Sequence, residues 1–145
     1  WNSVGNNYYG GSTIDIWLDN VYKNALDSGI QAAIAQTSFQ YTPGGYDTIM
    51  TAMSKAVFLL SLAELGCTTD SSTWNAEGSE LPIASMLRTI SQWTRTPYTG
   101  MLVYVWAISD TGDPCMIGPT QSAPCNPAFT LPGTTLVDAD NNVVA

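Results

Sequence analysis

Residues 100–106 read GMLVYVW, a glycine followed by six consecutive bulky apolar residues. A strand with one face in water alternates apolar and polar side chains, and this run does not. It is either a strand buried on both faces or an apolar patch left exposed to meet something. Tyr98-Thr99-Gly100 reads as a turn, which puts Met101 to Tyr104 in a loop and starts the strand after them. Trp106 and Ile108 share a face by the period of two and are expected in the core. Ala107 and Ser109, small residues on the other face, are expected outside. Asp110-Thr111-Gly112-Asp113 reads as a hairpin turn into a next segment. Met116, Ile117, Thr120 and Gln121 would then line the same surface as the loop. Taken on these residues alone, core strands are the favoured reading.

Outward from this stretch, the C-terminal half alternates short candidate strands (Trp93–Arg95, Val103–Ile108, Cys115–Ile117, Ala128–Leu131) with Pro and Gly turns. The N-terminal half is helical in texture. Ile14, Trp17, Leu18, Val21, Tyr22 and Ala25 fall on one helix face. Ser12 with Asp15 resembles a capping box, and Asp19 with Lys23 is an i,i+4 pair. Ile30 to Ile34 reads as a short helical segment and Thr37–Tyr41 as an alternating stretch. Pro43-Gly44-Gly45 is a turn, and Val57–Leu60 a strand buried on both faces. Cys67 to Glu80 is a long surface loop, and Ile83 to Ile90 a helix with Met86 and Ile90 on one side. Asp138 to Asn142 is a turn before a last strand, Val143–Val144. Helices segregated from an antiparallel sheet predict an α+β domain.

The 145 residues make one domain, and 45% hydrophobic residues supply a core. Charged residues are 11%, against roughly 25% in an average domain, so Ser, Thr, Asn, Gln, Gly and Tyr must cover the surface. That palette also resembles binding loops. A net charge of −8 with four cations, Lys23, Lys55, Arg88 and Arg95, argues against nucleic acid and anionic lipid as partners. No apolar run approaches the ~20 residues of a membrane helix. The sequence begins at Trp1 without a Met, which reads as a fragment or the C-terminal part of something longer.

Histidine is absent, which removes His-based triads and the commonest general base. Cys67, Cys115 and Cys125 form no CxxC. Cys115 and Cys125 are close enough in sequence to pair across adjacent strands; unpaired cysteines filling apolar space is the favoured alternative. Glu64, Glu77 and Glu80 show no pairing pattern and read as solvated carboxylates. Asp138-x-Asp140-x-Asn142 resembles the start of a calcium loop but lacks its Gly and Glu, so a polar turn is preferred and no metal or cofactor is expected. Arg95, alone in WTRTP and flanked by Trp93, is expected to cross-link buried carbonyls or a carboxylate.

Five stretches in order, STIDIWL (12–18), KAVFLLSLAELG (55–66), NAEGSELP (75–82), QWTRTPYTG (92–100) and NPAFTLPGTTLV (126–137), resemble a group of gut-bacterial and phage domains with a C-type-lectin-like fold. Some of these look like variable proteins of diversity-generating retroelements, in which a W-T-R-S-P motif and a R-P-A-F-T-L-P motif frame a hypervariable stretch. Thr96 replaces the Ser of the first motif and Asn126 the Arg of the second. The calcium-dependent sugar motifs of true C-type lectins are not found.

The resemblance implies a diversified segment from about Pro97 to Cys125 and reverses the reading of GMLVYVW, from core to exposed contact face. The implied ligand-binding surface is Tyr98, Met101, Leu102, Val103, Tyr104, Ala107, Ser109, Asp113, Cys115, Met116, Thr120 and Gln121. Trp93, Arg95, Trp106, Ile108, Pro127 and Phe129 are implied as structural. The expectation is a non-enzymatic receptor-binding or adhesin-like domain, extracellular, cell-surface or virion-displayed, binding an unidentified protein or cell-surface ligand. Two alternatives stand beside it. One is a fixed structural module of a phage or surface assembly. The other is a remote formylglycine-generating-enzyme-like fold with cysteine chemistry at Cys115 or Cys125.

Overall fold

The structure, a computed structural model, describes residues 1–47, 49–67, 77–137 and 143–144. Its first helix begins as the sequence predicts. Ser12 Oγ accepts the Asp15 N–H at 3.2 Å and Asp15 Oδ2 accepts the Gly11 N–H at 2.9 Å, a reciprocal cap displaced by one residue from the usual box. Helix α1 (Thr13–Trp17) then widens into a π-helical turn, Leu18–Tyr22, where the Lys23 N–H reaches Leu18 O, before α2 (Lys23–Ala25). The wide turn rotates the expected apolar face. Leu18 is buried and Ile14 and Tyr22 are half-buried, but Trp17, Val21 and Ala25 are exposed. Asp19 also pairs differently from expectation. Lys55 Nζ lies 2.7 Å from Asp19 and 2.9 Å from Asp15, tying the helix to a distant strand.

A short helix, α3 (Ser28–Ala33), starts on Asp27, whose Oδ1 accepts the Gly29 N–H at 2.8 Å. The strands β1 (Thr37–Tyr41) and β2 (Thr51–Lys55) pair antiparallel, Thr37 opposite Lys55. Strand β2 was not legible in TAMSK, which has neither alternation nor β-branched density. Helix α4 spans only Ala84–Leu87, and Met86 and Ile90 face solvent rather than a core.

The C-terminal half is built on a three-stranded antiparallel sheet, β3 (Gln92–Pro97), β4 (Val105–Ile108) and β5 (Pro114–Ile117), in the order β3-β4-β5. The expected hairpin is present, with Trp106 opposite Met116 and Ala107 opposite Cys115. The β3–β4 register shifts between Trp93 and Pro97. Ala128–Leu131 makes only isolated bridges, Phe58 with Ala128 and Ala35 with Thr130. The last strand, β7 (Val143–Val144), pairs with β6 (Leu136–Val137); the expected turn at 138–142 lies outside the described residues.

Residues 56–65 run between two apolar clusters. Val57 and Leu59 pack with Tyr9, Leu18, Trp93, Val105 and Ala107; Phe58, Leu60, Leu62 and Leu65 pack with Cys67 and Ile108. This run is buried on both faces as expected, yet it is not a ladder strand. Its backbone is satisfied piecemeal: by Ala128, by the Tyr9 hydroxyl on Leu59 N–H at 3.0 Å, and by the Arg95 N–H on Leu60 O at 3.0 Å. The architecture is α+β with small antiparallel sheets. Among the described residues no helix is long and apolar enough to cross a membrane.

Candidate functional site

The stretch 98–104 leaves β3 and returns into β4 as an exposed loop. Met101, Leu102, Val103 and Tyr104 are 48%, 36%, 52% and 39% exposed, so four consecutive large apolar side chains stand in solvent. The chain can turn this tightly because Gly100 adopts φ +88°. The loop closes on itself through the Tyr98 N–H to Tyr104 O at 3.1 Å and on a neighbouring loop through the Gly100 N–H to Gly45 O at 3.1 Å.

Beneath it sits Asn7, 0% exposed. Its side-chain nitrogen donates toward the carbonyls of Tyr98 (3.0 Å), Met101 (2.7 Å) and Tyr104 (2.8 Å), and its Oδ1 accepts the Gly45 N–H at 2.6 Å. Gly44 and Gly45 permit the close approach. A Cβ at Gly44 would strike Asn7 O, and one at Gly45 would lie 2.6 Å from the Tyr8 hydroxyl and 2.9 Å from Leu102 Cδ2. Tyr8, itself exposed, therefore borders the loop.

An aromatic row extends the patch. The Tyr98 ring lies 6.4 Å from Tyr104 and 5.5 Å from Trp106. Met116, opposite Trp106 in the sheet, shares its face and is exposed. The structure thus brings Tyr98, Met101 to Tyr104 and Met116 together.

Other expected site residues lie elsewhere. Ala107 is 1% exposed and packs with Trp93 and Val57; β4 is the central strand and is covered on both faces, so a small residue there fills core. Cys115 and Ile117, on the same side of the sheet as Ala107, pack half-buried against that cluster. Ser109 and Asp113 brace the hairpin turn, with the Asp113 N–H on Ser109 Oγ at 3.2 Å and the Ser109 N–H on Asp113 O at 2.9 Å. Thr120 and Gln121 are exposed but line a different hollow, with Trp1, Asn2, Ser3 and Thr13.

The framing motif works from behind. The Arg95 guanidinium is fully buried. Nη1 donates to Leu59 O (2.8 Å) and Glu64 Oε2 (2.6 Å), and Nη2 to Glu64 Oε1 (2.9 Å) and Glu77 O (2.7 Å). Its carbon also sits 4.3 Å from the Phe39 ring centre. Thr94 Oγ1 donates to Trp106 O at 2.7 Å. Thr96 Oγ1 accepts the Leu62 N–H at 3.0 Å and donates to Glu77 Oε2, while the Thr42 N–H donates to Glu77 Oε1 at 2.7 Å. Glu77 is therefore not the solvated carboxylate expected; burial raises its pKa, opposed by the bonds from Thr96 and Thr42 and by Arg95. Trp93 and Ile108 are buried, and Trp106, Pro127 and Phe129 half-buried. Asn126 lines an apolar groove of about 440 Å³ between Phe58, Leu60, Leu81 and Ala128.

The chemistry available is limited. The three cysteines are free. Burial raises all three thiol pKa values, that of Cys125 to about 11, the opposite of what a nucleophilic thiolate needs. Among the described residues no group of three or more acidic or Cys side chains is placed to hold a metal ion.

A family model described as "Domain of unknown function (DUF6273)" matches residues 1–133, and the chain belongs to that family. No curated protein matches the chain, and no solved structure does.

Proposed function

We propose that this chain is a non-enzymatic recognition domain of C-type-lectin-like fold, displayed outside a cell or on a virion, whose contact face is the loop 98–104 with Met116. The observation that carries the reading is the exposure of Met101 to Tyr104 on a loop whose backbone is tied down from below. An exposed apolar and aromatic patch on a charge-poor surface matches the composition of interface cores, and Tyr98 and Tyr104 are the anchors such a face would use. The raised thiol pKa values weigh against cysteine chemistry.

We further propose that the loop and Met116 lie within the segment a retroelement diversifies. The direct test is sequencing of the encoding gene across its source population. Substitutions should concentrate at Tyr98, Met101 to Tyr104 and Met116 and spare Trp93, Arg95, Ala107 and Pro127. Variation spread evenly, or avoiding the loop, would sink diversification and leave a fixed structural module as the better account.

A further inference from the structure

Among the described residues, the hydrogen bonds that hold the contact loop have one property in common: they read the main chain. Asn7 bonds four backbone groups and no side chain. Two further bonds, Tyr98 to Tyr104 and Gly100 to Gly45, run from N–H to carbonyl. Among the described residues, no side chain of Met101, Leu102, Val103 or Tyr104 makes a hydrogen bond. An Asn amide has two N–H donors and an acceptor oxygen, and here it faces three carbonyls and one N–H, so both ends are used and one hydrogen is shared. Neither Asp nor Leu, although of similar size, supplies that set.

Resting on the recognition reading above, we infer that Asn7 is the positioning residue of the site and that residues 101–104 are its specificity-determining positions. Asn7, seated against Gly44 and Gly45, sets the loop backbone irrespective of which side chains the loop carries. The four side chains can then be exchanged wholesale without moving the frame that presents them. A rigid frame lowers the ordering cost a partner must meet on binding, and here it does so equally for every loop sequence.

The test needs no partner, so it can fail without touching the recognition reading, and the gene survey can fail without touching it. Amide hydrogen exchange is followed on the full chain and on two variants. One carries M101S, L102S, V103S and Y104S together; the other is Asn7→Asp. The serine variant should keep the protection of the Tyr98 and Gly100 amides within about threefold of the parent. Asn7→Asp, which presents a carboxylate to three carbonyls, should lose roughly tenfold or more at those two amides at neutral pH while Ala107 stays protected.

A second signature is specific to positioning. Acidification protonates the introduced carboxylate and gives it one donor, so protection in the Asn7→Asp variant should recover in part as pH falls, after correction for intrinsic exchange. The parent should show no such recovery. Loss of protection in the serine variant to the level of Asn7→Asp would overturn the inference, as would intact protection in Asn7→Asp. Unfolding of the whole chain in Asn7→Asp would also overturn it, because Asn7 would then be a core residue; the serine variant, altered only at exposed positions, still reports on its own.

Discussion

Replacing Arg95 by Met tests the account of the framing motif most severely. The substitution keeps length and apolar contact with Phe39 and Phe58 but removes four donor contacts. Two of these form a forked pair with Glu64, whose side chain is only 13% exposed. Removing one member of a buried pair costs about 3–5 kcal/mol, because the other charge is left uncompensated. The carbonyls of Leu59 and Glu77 lose partners as well. Glu64 keeps the Ser61 N–H at 2.8 Å, and Met adds apolar packing, so the lower end, about 3 kcal/mol, is expected. At roughly 2–4 °C per kcal/mol in a chain of this size, Tm should fall by about 6–12 °C. Urea unfolding of Arg95→Met, Glu64→Gln and the double variant completes a cycle, with an unchanged m-value required of each. The double variant should recover roughly 1.5–3 kcal/mol relative to the sum of the singles. Strict additivity, or an Arg95→Met cost below about 1 kcal/mol, would refute the forked pair as the organiser of this core.

Two further outcomes follow from the buried groups. Burial raises the Glu77 carboxyl above its ordinary 4.5, so its contribution to stability is complete below that value and is lost as pH rises through the elevated one. Glu77→Gln removes the titration; the stability of the parent relative to this variant should fall as pH rises from about 4.5, read by urea unfolding at several pH values, and a flat or rising difference would count against the assignment. Cys125, with its thiol pushed up to about 11, should react with a thiol reagent at pH 8 roughly a hundredfold more slowly in the native chain than in the unfolded one. Rapid native labelling at Cys115 or Cys125 would instead reopen the cysteine-chemistry reading.

The sequence was most informative where a signal is local. Ser12 and Asp15 marked the helix start, Asp110 to Asp113 the hairpin turn, and Arg95 its own burial, because a lone cation in a charge-poor chain needs partners. Legibility ended where partners are remote. Glu77 looked solvated because nothing nearby explains it; its bonds come from Thr42 and Thr96, 35 and 19 positions away. Ala107 looked exposed because small residues suit an outer face, but the period of two cannot tell a central strand covered on both sides from an edge strand with one. The π-helical turn altered the helix face without any break in its apolar spacing. Asn7 carried no signal at all: a polar residue before two tyrosines reads as surface until its four backbone partners are in place.

The N-terminal segment combines local ties, such as Ser3 with Thr13 and the Ile14 N–H on Trp1 O, with bonds to residues made much later. The Trp1 indole bonds Thr94, 93 positions on, and Asn7 bonds Tyr104, 97 positions on; Asn2 N–H bonds Pro119 O. Closing loops of that length costs entropy before any contact repays it. During synthesis the carbonyl partners of the Trp1 indole, the Asn2 N–H and the Asn7 amide nitrogen therefore emerge at least 91 positions after the groups that bond them. The loop 98–104 takes its tied-down shape only when the segment around Asn7 reaches it. A chain halted before Tyr98 would have made the seat and none of the carbonyls it holds.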